Sequence, residues 1–284
     1  MAINKTSARG EQQVLYRADL HTHSTASDGQ YTPSELVRMA KERGLEFLAL
    51  TDHDTTDGLA EAVQAGNALG VRVIRGIELS AKEYHTFHIL GYNIEPAAQK
   101  LAELCHDMKI SRDERSLRIL AFLKEKGMEI SLSEVEALTG GSIVGRPHFA
   151  QVLTRHGFVA SNREAFDRYL DTEEFHQQVE RSKPSVRTCI DAIKSAGGKA
   201  SLAHPYQIGL SDEALDRLVG QLASCGLDAI ECRYSKHTPE QCAFYLHLAE
   251  KYHLQVSGGS DFHGEHVKPD VQLVAYRMDL DWLL

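Results

Sequence analysis

The 284-residue chain predicts an α/β fold: an irregular closed barrel of β/α units interrupted by a helical insertion. Three observations predict it. Short apolar runs alternate with helix-like segments in the first and last thirds, and such alternation builds a parallel sheet. Between them, from Pro96 to about Pro184, apolar residues recur only at helical spacing. Nine ligand-type side chains recur near the ends of successive predicted strands, the rim where a β/α barrel gathers its site.

The elements follow in order. Met1 to Gln13 is polar, lacks an apolar leader and reads as a loose tail, so no secretory signal is expected. Val14–Tyr16 is the first apolar run. Thr32-Pro33-Ser34-Glu35 is a capping box with Pro at the first helical position. The helix it opens should end at Gly44. Phe47–Thr51 is the next strand, Leu59–Leu69 a helix closed by Gly70, Val71–Ile77 a strand, and His85–Tyr92 another.

Leu101, Leu104, Met108, Leu117, Leu120 and Leu123 then keep a helical period, punctuated by Gly127, Gly140-Gly141 and Gly157. This stretch predicts three to five helices. The strand–helix rhythm resumes with a helix over 185–196 and the strand Lys199–Ala203. A helix from Ser211 to Cys225 and the strand Leu227–Glu231 follow. The Thr238–Gln241 capping box opens the last helix, and the strand Leu254–Ser257 ends in Gly-Gly-Ser-Asp-Phe-His. The expected division is a catalytic barrel of 14–96 and 185–284, a helical insertion of 97–184 over the substrate, and a tail of 1–13. Val271–Leu284 is expected either to add a last strand or to pair with another subunit.

Composition narrows the function classes. Hydrophobic content of 42% and charged content of 25% suit a globular domain, and no apolar run approaches the roughly 20 residues of a membrane helix. Five cysteines, odd in number and without a C-x-x-C, read as reduced thiols in a cytoplasmic protein. A net charge of −9 argues against a duplex DNA surface. Small phosphorylated partners remain open to it, because bound cations would invert the local potential.

The nine side chains are His21 and His23, Asp28, His53, Glu78, His88, His204, and Asp261 with His263. Two residues apart on a strand end, His21 and His23 leave on one face, and Asp261 and His263 share that spacing. Asp52 and Asp54 flank His53, where carboxylates can orient an imidazole. Glu78 follows an apolar strand, where a charge needs a partner. Six imidazoles and three carboxylates exceed the needs of one tetrahedral ion and suggest two or three. Open positions would remain for water and substrate, unlike a closed structural site.

Together, His21-Thr-His23, Thr51-Asp-His53-Asp, His204-Pro and Gly-Ser-Asp261-Phe-His263 resemble the four motifs of the polymerase and histidinol phosphatase (PHP) family. The resemblance spans roughly 15–96 and 185–265. It implies a distorted seven-stranded (β/α) barrel with a trinuclear site. Carried over by position, His21, His23, Glu78 and Asp261 hold one ion; Asp28, His53 and His263 a second; Glu78, His88 and His204 a third, with Glu78 bridging. Some members carry His where this chain has Asp28, and Asp suits harder ions such as Mn or Fe; Zn is the further candidate.

The chemistry implied is hydrolysis of a phosphate ester by a metal-bridging hydroxide attacking phosphorus. Asp52, His237 or a metal-bound water is a candidate proton source for the leaving oxygen. No Gly-x-Ser-x-Gly elbow and no P-loop compete. A metal-barrel amidohydrolase is the main chemical rival, but Glu78 stands where such enzymes often use a carboxylated lysine. A non-catalytic PHP module serving a polymerase is a further alternative.

In the insertion, Gly145-Arg146-Pro147-His148-Phe149 opens a helix. Arg146 suits a bidentate phosphate contact, and His148 is either a second substrate contact or a cap. The stretch resembles one PHP branch, which removes the 3′-phosphate from nucleoside 3′,5′-bisphosphates and trims short RNA. Histidinol phosphate is a third candidate substrate. The chain departs from that branch at His204-Pro205-Tyr206-Gln207-Ile208, where an Arg is often found. Arg181, Lys183 or Arg233 is the expected replacement cation.

Overall fold

A computed structural model gives the fold and describes residues 5–6, 12–139, 143–179 and 181–284. The expected punctuation at Gly140-Gly141 lies outside the described residues. Within the expected tail, strands β1 (Lys5–Thr6) and β2 (Gln12–Gln13) pair antiparallel. The first third then runs β3 (Tyr16–Thr22), α1 (Pro33–Glu42), β4 (Phe47–Leu50), α2 (Leu59–Leu69), β5 (Arg72–Ser80) and β6 (His88–Tyr92). Helices alone follow: α3 (Gln99–Glu125), α4 (Leu132–Glu136), α5 (Arg146–Arg155), α6 (Asn162–Ala165), a π-helical turn at Phe166–Leu170, and α7 (Glu173–Gln178). The last third runs α8 (Val186–Ser195), β7 (Lys199–Leu202), α9 (Asp212–Ser224), β8 (Ala229–Tyr234), α10 (Pro239–Lys251), β9 (Gln255–Gly259) and β10 (Tyr276–Met278).

Local chemistry accounts for the boundaries. Thr32 and Glu35 close a reciprocal capping box on α1, and Thr238 with Gln241 does the same on α10. Gly44 follows α1 at φ 71°, a left-handed conformation that a glycine adopts without strain. Leu36, Val37 and Ala40 form the buried stripe of α1 against the sheet. Each fully buried Leu or Val there contributes about 1.5–3 kcal/mol.

Eight strands form one sheet in the order β10-β3-β4-β5-β6-β7-β8-β9. It nearly closes, because a parallel bridge joins Thr22 to Phe262, and His23 N donates to Phe262 O at 2.9 Å. Gly259 makes this closure possible. A Cβ there would lie 2.4 Å from His21 Cβ, so only glycine allows the approach.

Several expectations need correction. The sheet is mixed: β6 runs antiparallel to both β5 and β7, and β10 antiparallel to β3. His88 therefore opens its strand, yet the reversal brings that start to the rim where neighbouring strands end. The first strand is not Val14–Tyr16 but Tyr16–Thr22, whose polar Arg17, Asp19 and His21 hid its period. Buried Asp19 is tolerated because it accepts from Ser260 N at 2.8 Å and Val274 N at 3.0 Å. The strand expected at Leu227–Glu231 is Ala229–Tyr234. Of the alternatives for the C-terminal stretch, a last strand forms, with Leu280 and Leu283 packed beside Ala18, Leu20 and Phe47.

The helices between β6 and β7 have a hydrophobic cluster of their own, including Phe122, Leu123, Phe149, Leu153 and Phe175. A buried ion cluster ties them to the sheet. Asp54 Oδ2 accepts from Arg112 Nε at 2.9 Å, from Arg112 Nη2, and from Arg181 Nη1 and Nη2 at 3.2 Å each. Asp54 stands at φ 58°, outside the usual range for a non-glycine residue, and its Oδ1 also accepts from Ser80 N at 2.8 Å.

Candidate metal centre

Glu78 ends β5 completely buried, and imidazoles from five places converge on its two oxygens. Oε2 lies 3.2 Å from His21 Nε2, 3.2 Å from His23 Nε2 and 2.9 Å from His53 Nδ1. Oε1 lies 2.8 Å from His88 Nδ1 and 2.9 Å from His204 Nε2. Asp261 Oδ1 sits 3.6 Å from His21 Nε2 and 3.4 Å from His23 Nε2. Asp28 Oδ1 sits 3.3 Å from His263 Nε2 and 3.9 Å from His53 Nε2. All nine ligand-type residues are thus brought together.

The groupings differ in detail from those carried over by position. His21, His23, Glu78 and Asp261 form one set of mutually close donors. Asp28, His53 and His263 form another, with His23 shared between the two. Glu78 and His88 form a third with His53, while His204 addresses the same Glu78 oxygen as His88.

The donor set fits divalent ions. His21 Nε2, both ring nitrogens of His23, Asp28 Oδ1, His53 Nδ1 and Glu78 Oε2 are buried without a hydrogen-bond partner despite the short separations. His21 Nε2, His23 Nε2, His53 Nδ1 and the Glu78 and Asp28 oxygens face one another across short separations instead of along hydrogen bonds, which is how ligands of an ion are arranged. Mixed imidazole and carboxylate donors match Mn, Fe or Zn. Backbone strain falls at the same rim, with His204 at φ 25° and Asp261 at φ 58°.

Electrostatics reflect the crowding. Burial alone would raise Glu78, but His53, His21 and His88 hold its carboxyl well below the usual range. Burial opposes and the carboxylates support a proton on His23, which is held up to about 9. His88 is pushed down to about 3, chiefly by burial, and His263 to about 4 by burial and then by His23.

Glu231 was not expected here. Its Oε1 lies 3.1 Å from His21 Nδ1 and its Oε2 accepts from His204 N at 2.7 Å, so it orients one ring and one ligand-bearing turn. Its sequence signal, a Glu closing an apolar run, equals that of Glu78. Tyr234 Oη donates to Asp261 Oδ2 at 2.8 Å, and Lys268 Nζ donates to the same oxygen at 2.6 Å. Nothing local in the sequence marks Lys268.

Beside the cluster lies a cavity of about 530 Å³. Asp28, His53, His88 and His263 line it together with Lys82, Arg112, Arg115, Arg146, Arg181, Lys183 and Lys268. Tyr84, His85, Phe166 and His176 add an aromatic part. Arg146 Nη1 donates to Asp171 Oδ1 and, at 3.1 Å, to Leu170 O.

Other expected site residues lie elsewhere. His148 is buried and its Nδ1 accepts from Gly145 N at 2.9 Å, which caps α5. Asp52 does not line the cavity. It accepts from Ser24 N at 2.8 Å, Ser24 Oγ at 2.7 Å and Ser27 Oγ at 2.6 Å, and so anchors the loop bearing Asp28. Neither Asp52 nor Asp54 bonds His53, whose nearest carboxylate is Glu78. His237 is outside the lining too, its ring packed against Tyr206, Tyr234 and Tyr245.

Comparison with known proteins decides the family. The PHP domain model matches residues 19–181. The chain belongs to the PHP domain family. It is 36% identical to the 5′-3′ exoribonuclease Rnm of Escherichia coli (strain K12) over 253 residues, 88% of this chain and 85% of that protein. It is 35% identical to a 3′,5′-nucleoside bisphosphate phosphatase of Chromobacterium violaceum over 247 residues, 86% of each. A crystal structure of a candidate metal-dependent phosphoesterase from Bifidobacterium adolescentis superposes with a TM-score of 0.82 at 31% identity, covering 93% of both chains. This PHP protein is accordingly a phosphate-ester hydrolase. No helix among the described residues is long and apolar enough to cross a membrane.

Proposed function

We propose that the protein hydrolyses a small, nucleotide-like phosphomonoester such as a nucleoside 3′,5′-bisphosphate. The observation that carries this reading is the cavity, which joins ligand-type residues at one part of its wall to a row of cations at another. Its volume of about 530 Å³ suits a ligand of nucleotide size. Bound among the nine residues, two or three Mn, Fe or Zn ions would supply a nucleophile from water at neutral pH and offset charge on the phosphoryl oxygens.

The chain's own residues do the rest. Glu78 would hold the ions together with His21, His23 and Asp261, with His53, Asp28 and His263, and with His88 and His204. Glu231 and Asp52 hold this set from behind. Arg146 offers a guanidinium to a phosphate oxygen. Lys268 holds an ammonium at the cavity wall and would serve as a proton source for the leaving oxygen. Residues 14–96 and 185–284 form the catalytic unit, with 97–184 as an inserted helical cap. Five free thiols fit a cytoplasmic setting.

A second reading, cleavage of short oligoribonucleotides, is favoured by the likeness to the exoribonuclease. Initial rates on adenosine 3′,5′-bisphosphate, a 5′-phosphorylated diadenylate and histidinol phosphate separate the candidates. The fastest kcat/KM on the bisphosphate is expected; preference for the dinucleotide would replace the monoesterase reading with the diesterase one.

A further inference from the structure

The cations of the cavity are not equivalent. Arg112 and Arg181 are both committed to buried Asp54, Arg146 to Asp171, and Lys268 to Asp261. Arg233 lies outside the cavity lining and donates to Arg277 O at 2.7 Å. Arg115, Lys183 and Lys82 differ: among the described residues none of them shows a carboxylate partner, and of the three only Lys82 is exposed. The Arg115 guanidinium lies 5.5 Å from the Phe175 ring centre, and its Nε reaches Val179 O at 3.4 Å. Lys183 Nζ donates to His85 O at 3.0 Å. Both line the cavity, one from α3 and the other from the segment entering α8.

Two half-buried cations that line one cavity and have no carboxylate partner among the described residues are a natural seat for an anion. We infer that Arg115 and Lys183 form the binding site for a second phosphate on the substrate, remote from the scissile one. This rests on the phosphoesterase reading and sharpens it. The replacement for the arginine absent after His204-Pro205 is then this pair, not Arg181 or Arg233. The same dianionic group can come from a nucleoside bisphosphate or from the phosphorylated end of a short RNA.

The proton balance agrees with that placement. Burial, then Arg181, pushes Lys183 down to about 7, with Asp54 opposing and Arg115 and Arg146 adding to the effect. Burial and then Arg146 also lower Arg115, though a guanidinium stays charged at neutral pH. A phosphate dianion beside Lys183 raises its pKa again, so binding at pH 8 draws a proton onto Nζ.

The test compares kcat/KM for adenosine 3′,5′-bisphosphate with that for adenosine 3′-monophosphate. A 5′-phosphorylated diadenylate is likewise set against its unphosphorylated form. In Arg115→Gln and Lys183→Met, the preference for the doubly phosphorylated member should fall about tenfold or more, the worth of one charged hydrogen bond. Lys183→Arg should restore most of it. The pair that shows the fall identifies the source of the second phosphate. Unchanged preferences in both variants would overturn the inference. If the wild type turns over neither pair, the phosphoesterase reading fails first, and calorimetry still decides the site. Adenosine 3′,5′-bisphosphate should then bind with proton uptake at pH 8, seen as a buffer-dependent enthalpy and lost in Lys183→Met. Absence of that uptake would overturn the inference independently.

Discussion

Replacing Asp54 by Asn should unfasten the helical segment from the sheet. The carboxylate is fully buried and receives both Arg112 and Arg181. Burial opposes its ionisation, but the two guanidiniums hold the carboxyl far below the usual range. Asn keeps the shape and the bond from Ser80 N but leaves two guanidiniums facing each other without a counter-charge. Breaking a buried ion pair on one side costs about 3–5 kcal/mol. At roughly 2–4 °C per kcal/mol for a chain near this size, the midpoint of thermal unfolding should drop by about 10 °C. The sign of the pH dependence follows from the lowered pKa. Asp54 contributes its full stability above the unfolded carboxylate pKa near 4, and the contribution is lost progressively as pH falls from there toward the much lower native value. The Asn variant should therefore show a flatter loss of stability on acidification. Unfolding followed by circular dichroism between pH 3 and 8 measures both effects. Combining Asp54→Asn with Arg112→Gln and Arg181→Gln should recover part of the loss, because no buried charge remains unpaired. A single variant within 1 °C of wild type, or a triple variant less stable than the single, would refute the reasoning.

Further expectations concern the site. Glu231→Gln should weaken metal binding about 10- to 100-fold without unfolding the protein, since it only loosens His21 and the His204 turn; competition with a chromophoric chelator gives the number. Mn binding at pH 7 should release protons, because His23 keeps its proton to about 9 and must lose it to become a ligand; a weakly buffered indicator titration reads them, and proton-neutral loading would contradict the donor assignment. His237→Asn should retain most of the wild-type kcat, whereas His53→Ala should lose it, and a pH–rate profile altered by His237→Asn would return that residue to the chemistry.

Much of the architecture was legible because capping boxes, glycine stops and apolar runs are local signals. Thr32 with Glu35 and Thr238 with Gln241 act as their spacing implies. The ligand-type residues were legible because strand ends in a β/α fold share a rim, so spacing along the chain translates into proximity. His88 reached that rim by a reversed strand, a direction that its apolar alternation does not encode. The cavity cations were illegible for another reason. Arg112 finds Asp54 across 58 positions, and whether a basic residue is neutralised depends on such distant partners. Asp52 misleads in the opposite way, since its motif neighbour His53 faces the site and it does not. The loops bearing Asp28 and Asp261 depend on Asp52 and on Tyr234 and Lys268, contacts no local pattern marks.

The most direct test of the central claim is phosphate release from adenosine 3′,5′-bisphosphate by Mn-loaded protein, before and after chelation and in His53→Ala. Turnover that chelator abolishes, Mn restores and His53→Ala lacks is the predicted result. Absence of phosphate release by fully metal-loaded wild-type protein, or release indifferent to chelator, would contradict it.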